Sequence, residues 1–162
     1  MKRLGLSKAP IVIRRETLPN GVVDLSTDHC HYLIKRLKPG ILLIEVSGKE
    51  TGSLGRAPLG EVAVEAALHP PVRLFIDLSE LSQVASTVSG DWTAWFRANE
   101  KSIRRVDALV SSTYLKLTVA ASQLFSRTGD MIRIHTDAAK FASAIRQEIP
   151  TFDEHGDLSV DE

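Results

Sequence analysis

The run Val72-Arg73-Leu74-Phe75-Ile76 constrains this chain more than any other stretch. It is β-branched and aromatic, and Pro70-Pro71 stop whatever helix precedes it, so it reads as a buried central strand. The strand is expected to end at Asp77-Leu78-Ser79, followed by a loop of small hydroxylated residues from Ser82 to Ser89. Trp92, Trp95, Phe96 and Ile103 then recur at helical spacing, which predicts a second helix. Strand, hydroxyl-rich loop and helix start, in that order, are where open α/β sheets place their working groups.

The rest of the chain supplies partners for that strand. Ile11–Arg14 and Val22–Leu25 are β-prone runs joined by Pro19-Asn20-Gly21, which has the chemistry of a hairpin turn. Cys30–Leu37 and Ile41–Ser47, joined by Lys38-Pro39-Gly40, predict a second hairpin; Gly48–Leu54 reads as a loop. A first helix over Pro58–Leu68 presents Leu59, Val62, Ala63, Ala66 and Ala67 on one face. Val106–Val110 predicts another strand, and Ser111-Ser112-Thr113 can cap a third helix facing inward with Leu117, Ala120, Ala121, Leu124 and Phe125 and ending at Gly129. Met131–His135 predicts the last strand. Thr136-Asp137 cap a final helix with Ala138, Phe141, Ala142, Ile145 and Ile149 inward. Buried strands alternating with helices call for an α/β fold: a mixed, mostly parallel sheet with about four helices, preceded by an N-terminal β-hairpin extension. The expected domain spans 30–150, between an extension over 1–29 and an acidic tail over 151–162.

A chain of 162 residues fits one domain. Lys+Arg and Asp+Glu balance at 20 each, without the basic surplus of a dedicated nucleic-acid binder. Cys30 is the single cysteine, so no internal disulfide can form and a reducing compartment is expected. The first residues do not have the pattern of a signal peptide, and no apolar run approaches the roughly 18 residues of a membrane span. The expectation is a cytoplasmic, soluble protein.

Three segments carry a family likeness: ILLIEVSG, VRLFIDLSEL, and the stretch from VDALVSS through TYLKLTVAASQLFSRTGDMIRIHTDAAKFASAI. Their order and lengths, over about Cys30 to Ile149, resemble the SpoIIAA-like fold of STAS domains and the related STAS/SEC14-like bacterial proteins. The resemblance implies a non-enzymatic regulatory module acting through protein–protein contact. STAS anti-sigma antagonists are switched by phosphorylation of a serine in an Asp-Ser pair a few residues past the central strand. That pair falls on Ala85-Ser86 here, so the hydroxyl matches and the aspartate does not; Thr87 is adjacent. Members of the STAS/SEC14-like branch do not follow that serine logic, and some look like binders of apolar small molecules. Trp92 and Trp95 on the second helix lean toward that branch. Residues 11–25 lie outside the family core.

The candidate sites follow. Ser86 and Thr87, where the loop enters the helix, are candidate phosphorylation positions; the plainer reading is that Ser86, Ser89 or Asp91 is the N-cap. Ser111, Ser112, Thr113 and Thr136 are a candidate anion-binding or partner-binding rim of hydroxyls at helix starts, against ordinary capping. Trp92, Trp95 and Phe96 are a candidate ligand or partner surface, against a helix face packed on the sheet. In a strand His29 and His31 point to one face and Cys30 to the other, so no metal site is expected, and no cofactor is implied. Hydrolase, phosphate-loop and dinucleotide signatures are absent from the sequence, and no enzyme is expected. The expected partner is an unidentified protein; the alternative is an apolar small ligand or lipid beside the Trp-bearing helix. A filled core under that helix favours the first, and a cavity of several hundred Å3 favours the second. A homodimer formed by the early strands is also an expectation.

Overall fold

The computed structural model describes residues 12–111 and 131–153. They form a seven-stranded sheet with three helices. Strands β1 (Arg14–Thr17), β2 (Val23–Ser26), β3 (Cys30–Lys38) and β4 (Ile41–Glu50) come first. Helix α1 (Ala57–Leu68), strand β5 (Val72–Val84), helix α2 (Ser86–Ala98), strands β6 (Ile103–Leu109) and β7 (Ile132–His135), and helix α3 (Ala138–Glu148) follow. The strands lie side by side in chain order.

The first three pairings are antiparallel and the next three parallel. The mostly parallel sheet expected from the sequence is therefore evenly divided. The reason is that the N-terminal hairpin joins the sheet instead of standing beside it: Leu25 of β2 faces Tyr32 of β3 and is buried in the core. The first strand starts at Arg14, later than Ile11, and Leu18 N–H donates to the Val22 carbonyl at 2.8 Å to close the turn around Pro19-Asn20-Gly21.

The largest departure is in β5. A loop was expected from Ser82 to Ser89, and the strand instead runs to Val84, paired with β4 up to Glu50. The same pairing carries β4 through Gly48–Glu50, where a loop was expected. Two register shifts explain why the pattern hid this. Glu45 and Ser47 pair with Asp77 and Glu80, and Gly48 and Lys49 pair with Leu81 and Gln83, so β5 carries an extra residue at each step. Each bulge breaks the alternation of a strand. The inward residues Leu78, Leu81 and Val84 come out three apart, a spacing that does not look like a strand.

Alternation across the sheet sorts the side chains onto two faces. Leu42, Ile44, Leu74, Ile76 and Val106 meet α1 and α2, whose Leu59, Val62, Trp95 and Phe96 complete the larger core. Leu43, Phe75 and Leu109 meet Phe141, Ala144 and Ile145 of α3, with Phe75 and Phe141 edge to face at 6.1 Å. Pro58 starts α1 in its first turn, and the side chain of Asp137 caps α3 by accepting from Ala139 N–H at 2.8 Å. Ala67 and Ala138, expected inward, are exposed, and Glu65 and Ala144 are buried in their helices. Ile103, grouped with the second helix by its spacing, opens β6 after a turn of 3-10 helix over Glu100–Ser102. The expected third helix, with Leu117 to Phe125 and Gly129, lies outside the described residues.

The α3 side also holds buried charge. Arg73 meets Asp107 at 2.8 Å, and His135 Nε2 meets the other carboxylate oxygen at 2.6 Å. Asp107 is fully buried, and the Arg73 guanidinium lies 4.1 Å over the Phe75 ring. Burial lowers the Arg73 pKa, while the Asp107 charge acts to restore it. The hydrogen bond from Arg104, more than the nearby Arg73, holds Glu148 below the usual carboxylate range.

Gly48 tests this packing directly. Its φ is +87°, and a Cβ there would sit 2.2 Å from the His29 carbonyl oxygen. Gly48→Ala should therefore cost at least about 2 kcal/mol in urea unfolding. Gly55→Ala, at φ +56° with nothing within 4 Å, should cost only about 1 kcal/mol. Equal costs at the two positions would contradict the close approach of β3 and β4.

Candidate functional site

The end of β4 and the bulged part of β5 lie together under the start of α2. Val46 and Glu50 of β4, Tyr32 of β3, Leu81 and Val84 of β5, and Val88, Trp92 and Phe96 of α2 are among the residues that line a partly open cavity of about 70 Å3. It is apolar apart from one buried cluster. Glu50 is only 2 % exposed; Tyr32 donates its phenol O–H to Glu50 Oε2, and Gly52 N–H donates to Oε1 at 2.9 Å. Both carboxylate oxygens are thus satisfied by neutral donors, as burial requires.

Burial, and then the Glu50 charge, push the Tyr32 phenol far above its ordinary pKa. Cys30 is pushed up to about 12 by burial first and by the Glu50 charge second. A thiol with that pKa stays protonated at neutral pH and is not an activated nucleophile. The cluster therefore holds the ends of β3 and β4 together under α2 and leaves the thiol inert.

Ser86 and Thr87 occupy the first turn of α2, and both are exposed. Neither they nor Ser89 or Asp91 caps the helix. Ala85 is the N-cap, with no side-chain acceptor to offer, because β5 runs directly into the helix. The Ser86 and Thr87 hydroxyls make no hydrogen bond among the described residues. Beside them the outer side of β5 exposes Ser82, whose hydroxyl donates to the Gly48 carbonyl at 2.9 Å, and Gln83.

The other candidates separate. Trp95 (8 % exposed) and Phe96 (1 %) are core residues packed edge to face at 5.9 Å, so they form no outward surface. Trp92 is half-buried and walls the cavity, tilted against Phe96 at 5.8 Å. Val110 N–H donates to the His135 carbonyl at 2.9 Å, which brings Ser111 and Thr136 to one edge; Ser112 and Thr113 lie outside the described residues. Ser86 is not at that edge. β5 continues past Asp77, the partner of Leu109 at the end of β6, and carries the start of α2 along β4. His31 pairs with Asp24 at 2.8 Å on the face opposite buried Cys30, and no three metal-ligating side chains come together among the described residues.

The Tyr32–Glu50 cluster was not found from the sequence. Tyr32, Val46 and Glu50 share a face only once the β3–β4 register is known, and Glu50 sits in a segment that reads as loop. A second groove, of about 280 Å3, lies between α3 and the sheet and carries Lys35, Glu45 and Asp77 beside Phe141 and Phe152.

No family model matches the chain, and no curated protein is significantly similar to it. Among solved structures it is similar to that of an uncharacterised protein of the DUF3478 family with a SpoIIAA-like fold, from Shewanella loihica. The identity is 18 % and the TM-score 0.49, over 72 % of this chain and 93 % of that one. Among the described residues no helix is long and apolar enough to cross a membrane.

Because Cys30 is the single cysteine, thiol labelling reads this site cleanly. In the native protein at pH 8 an aromatic disulfide reagent should label Cys30 only at the rate of unfolding, and rapid labelling would contradict the buried cluster. The raised pKa also sets a pH trend. Below the ordinary thiol value of 9.0 both folded and unfolded chains hold the proton, and the stabilising effect of burying a neutral thiol is intact. From pH 9 up to about 12 the unfolded chain alone loses it, so stability should fall with pH across that window. Tyr32→Phe should cost about 1–3 kcal/mol by leaving Glu50 Oε2 without its donor.

Proposed function

We propose that this chain is a SpoIIAA-like regulatory module that binds another protein through the exposed start of α2 and the adjoining end of β5. Ser86 or Thr87 is its phosphorylation switch. The observation that carries the reading is the first turn of α2: two exposed hydroxyls, unbonded among the described residues, on a helix whose N-cap supplies no side-chain acceptor. A phosphate there adds about −1.5 to −2 charge beside the positive end of the helix dipole, where it is stabilised, and it changes the charge seen by a partner. The core beneath supports the same reading. About 70 Å3 of space is room for a few waters, whereas ligand sites run from roughly 300 Å3. An apolar ligand or lipid under Trp92, the alternative, would have to push α2 off the sheet. In this role the module acts by contact and performs no reaction of its own.

A photo-crosslinker placed at Gln83 or Asp91 should capture one and the same protein in the native cells, and one at Lys140 on α3 should not. Ser86→Asp or Thr87→Asp should reduce that capture several-fold with an unchanged melting temperature. Undiminished capture in both variants removes the switch, and equal capture from Lys140 removes the surface.

A further inference from the structure

Among the described residues the sheet has an open edge at β1. All four of its residues are exposed, and Val12 (60 % exposed) and Ile13 (47 %) extend the same edge with apolar side chains. A row of unpaired backbone donors and acceptors beside exposed apolar residues is a template for strand pairing. We propose that β1 pairs antiparallel with β1 of a second copy of this chain, about a two-fold axis at Arg15, so that the two sheets become continuous.

The backbone sets which registers are open. Leu18 N–H bonds to the Val22 carbonyl, and the β1–β2 register continues as Glu16 with Asp24 and Arg14 with Ser26. Bonding alternates along an antiparallel ladder, so Arg14 and Glu16 turn their backbone groups toward β2. Ile13, Arg15 and Thr17 turn theirs outward. A two-fold pairing of these outward residues centres on Arg14, Arg15 or Glu16.

Charge selects among the three. Centring on Arg14 sets Arg14 against itself, and centring on Glu16 sets Glu16 against itself; like charges directly opposite are destabilising. Centring on Arg15 sets Arg14 of each copy opposite Glu16 of the other, twice, and places them in the non-hydrogen-bonded positions, where side chains are closest. It also sets Ile13 against Thr17. The Arg15 side chains meet at the axis, but each is held by its own Glu61, at 2.7 and 3.3 Å, on the α1 face. Arg14 touches Asp28 through one terminal nitrogen at 2.8 Å and keeps its other donors, and Glu16 makes no ion pair or hydrogen bond of its side chain among the described residues. The contact is a short strand pair, so it belongs with small, concentration-dependent interfaces. It leaves the start of α2 free and does not depend on the function proposed for it.

Sedimentation of the full chain over about 10 μM to 1 mM should show a monomer–dimer equilibrium. Glu16→Arg alone and Arg14→Glu alone should each weaken it by about tenfold or more, since each creates two like-charge contacts. An equimolar mixture of the two variants should regain dimer, because the heterodimer restores both opposite-charge contacts. Thr17→Pro, which removes an outward N–H that β2 does not use, should leave a monomer with an unchanged circular dichroism spectrum. A chain monomeric over the whole range, as when residues 1–11 of the same copy cover the edge, overturns the proposal. So does a dimer that neither charge reversal weakens, or a mixture no more dimeric than its components.

Discussion

The parallel pairing of β4 with β5 is the constraint on which the rest of the molecule depends. It runs from Ile41 with Arg73 to Glu50 with Val84, and in its first half Leu42, Ile44, Leu74 and Ile76 are buried under α1 and α2 on one face, and Leu43 and Phe75 under α3 on the other. Such a pair cannot end early without leaving backbone groups unpaired, so the polar second half is drawn into the sheet as well. Two bulges let it continue while turning Leu78, Leu81 and Val84 toward α2. The end of β5 then delivers the chain into α2 with no intervening loop. That geometry leaves Ala85 as the cap and exposes Ser86 and Thr87.

The two faces of the sheet solve burial differently. Toward α1 and α2 the core is apolar, and its two buried carboxylates are each satisfied by hydrogen bonds: Glu50 by a phenol and a backbone amide, and Glu65 by the Gly40 amide and Arg36. Toward α3 the charges of Arg73, Asp107 and Glu148 are buried or half-buried together, with His135 against Asp107, tying β5, β6, β7 and α3 at one place. A buried ion pair adds little net stability over apolar packing, and removing one partner from it is costly. Its effect here is to align three strands and a helix in one register, while the Phe75–Phe141 contact supplies apolar burial beside it.

The surfaces that remain open differ in kind. The start of α2 offers hydroxyls and the positive end of a helix, suited to a charge-dependent contact. The β1 edge offers backbone hydrogen bonds and alternating charge, suited to a second strand. The two lie on different elements, so pairing through one would leave the other available.

Much of this fold was legible in the residues. The Pro-Asn-Gly turn, the Lys38-Pro39-Gly40 hairpin, the α1 stripe and the Asp137 cap act over a few residues, and each formed close to where the local pattern placed it. Ser86 and Thr87 were legible as candidates too, though as parts of a loop and not of a helix. The length of β5 was not legible, because bulges erase the period of two and are specified by the neighbouring strand. Nor was the Tyr32–Glu50 cluster, since residues 18 apart meet only through the β3–β4 register. By itself the sequence determined the elements and the alternation that buries them, which follow from short-range sterics and hydrophobic periodicity. Only the tertiary structure decided which strand edges meet, where the Glu50 carboxylate finds its hydrogen-bond donors, and that the central strand carries a bare helix start to the surface, because each of these depends on groups far apart in the chain competing for the same backbone partners.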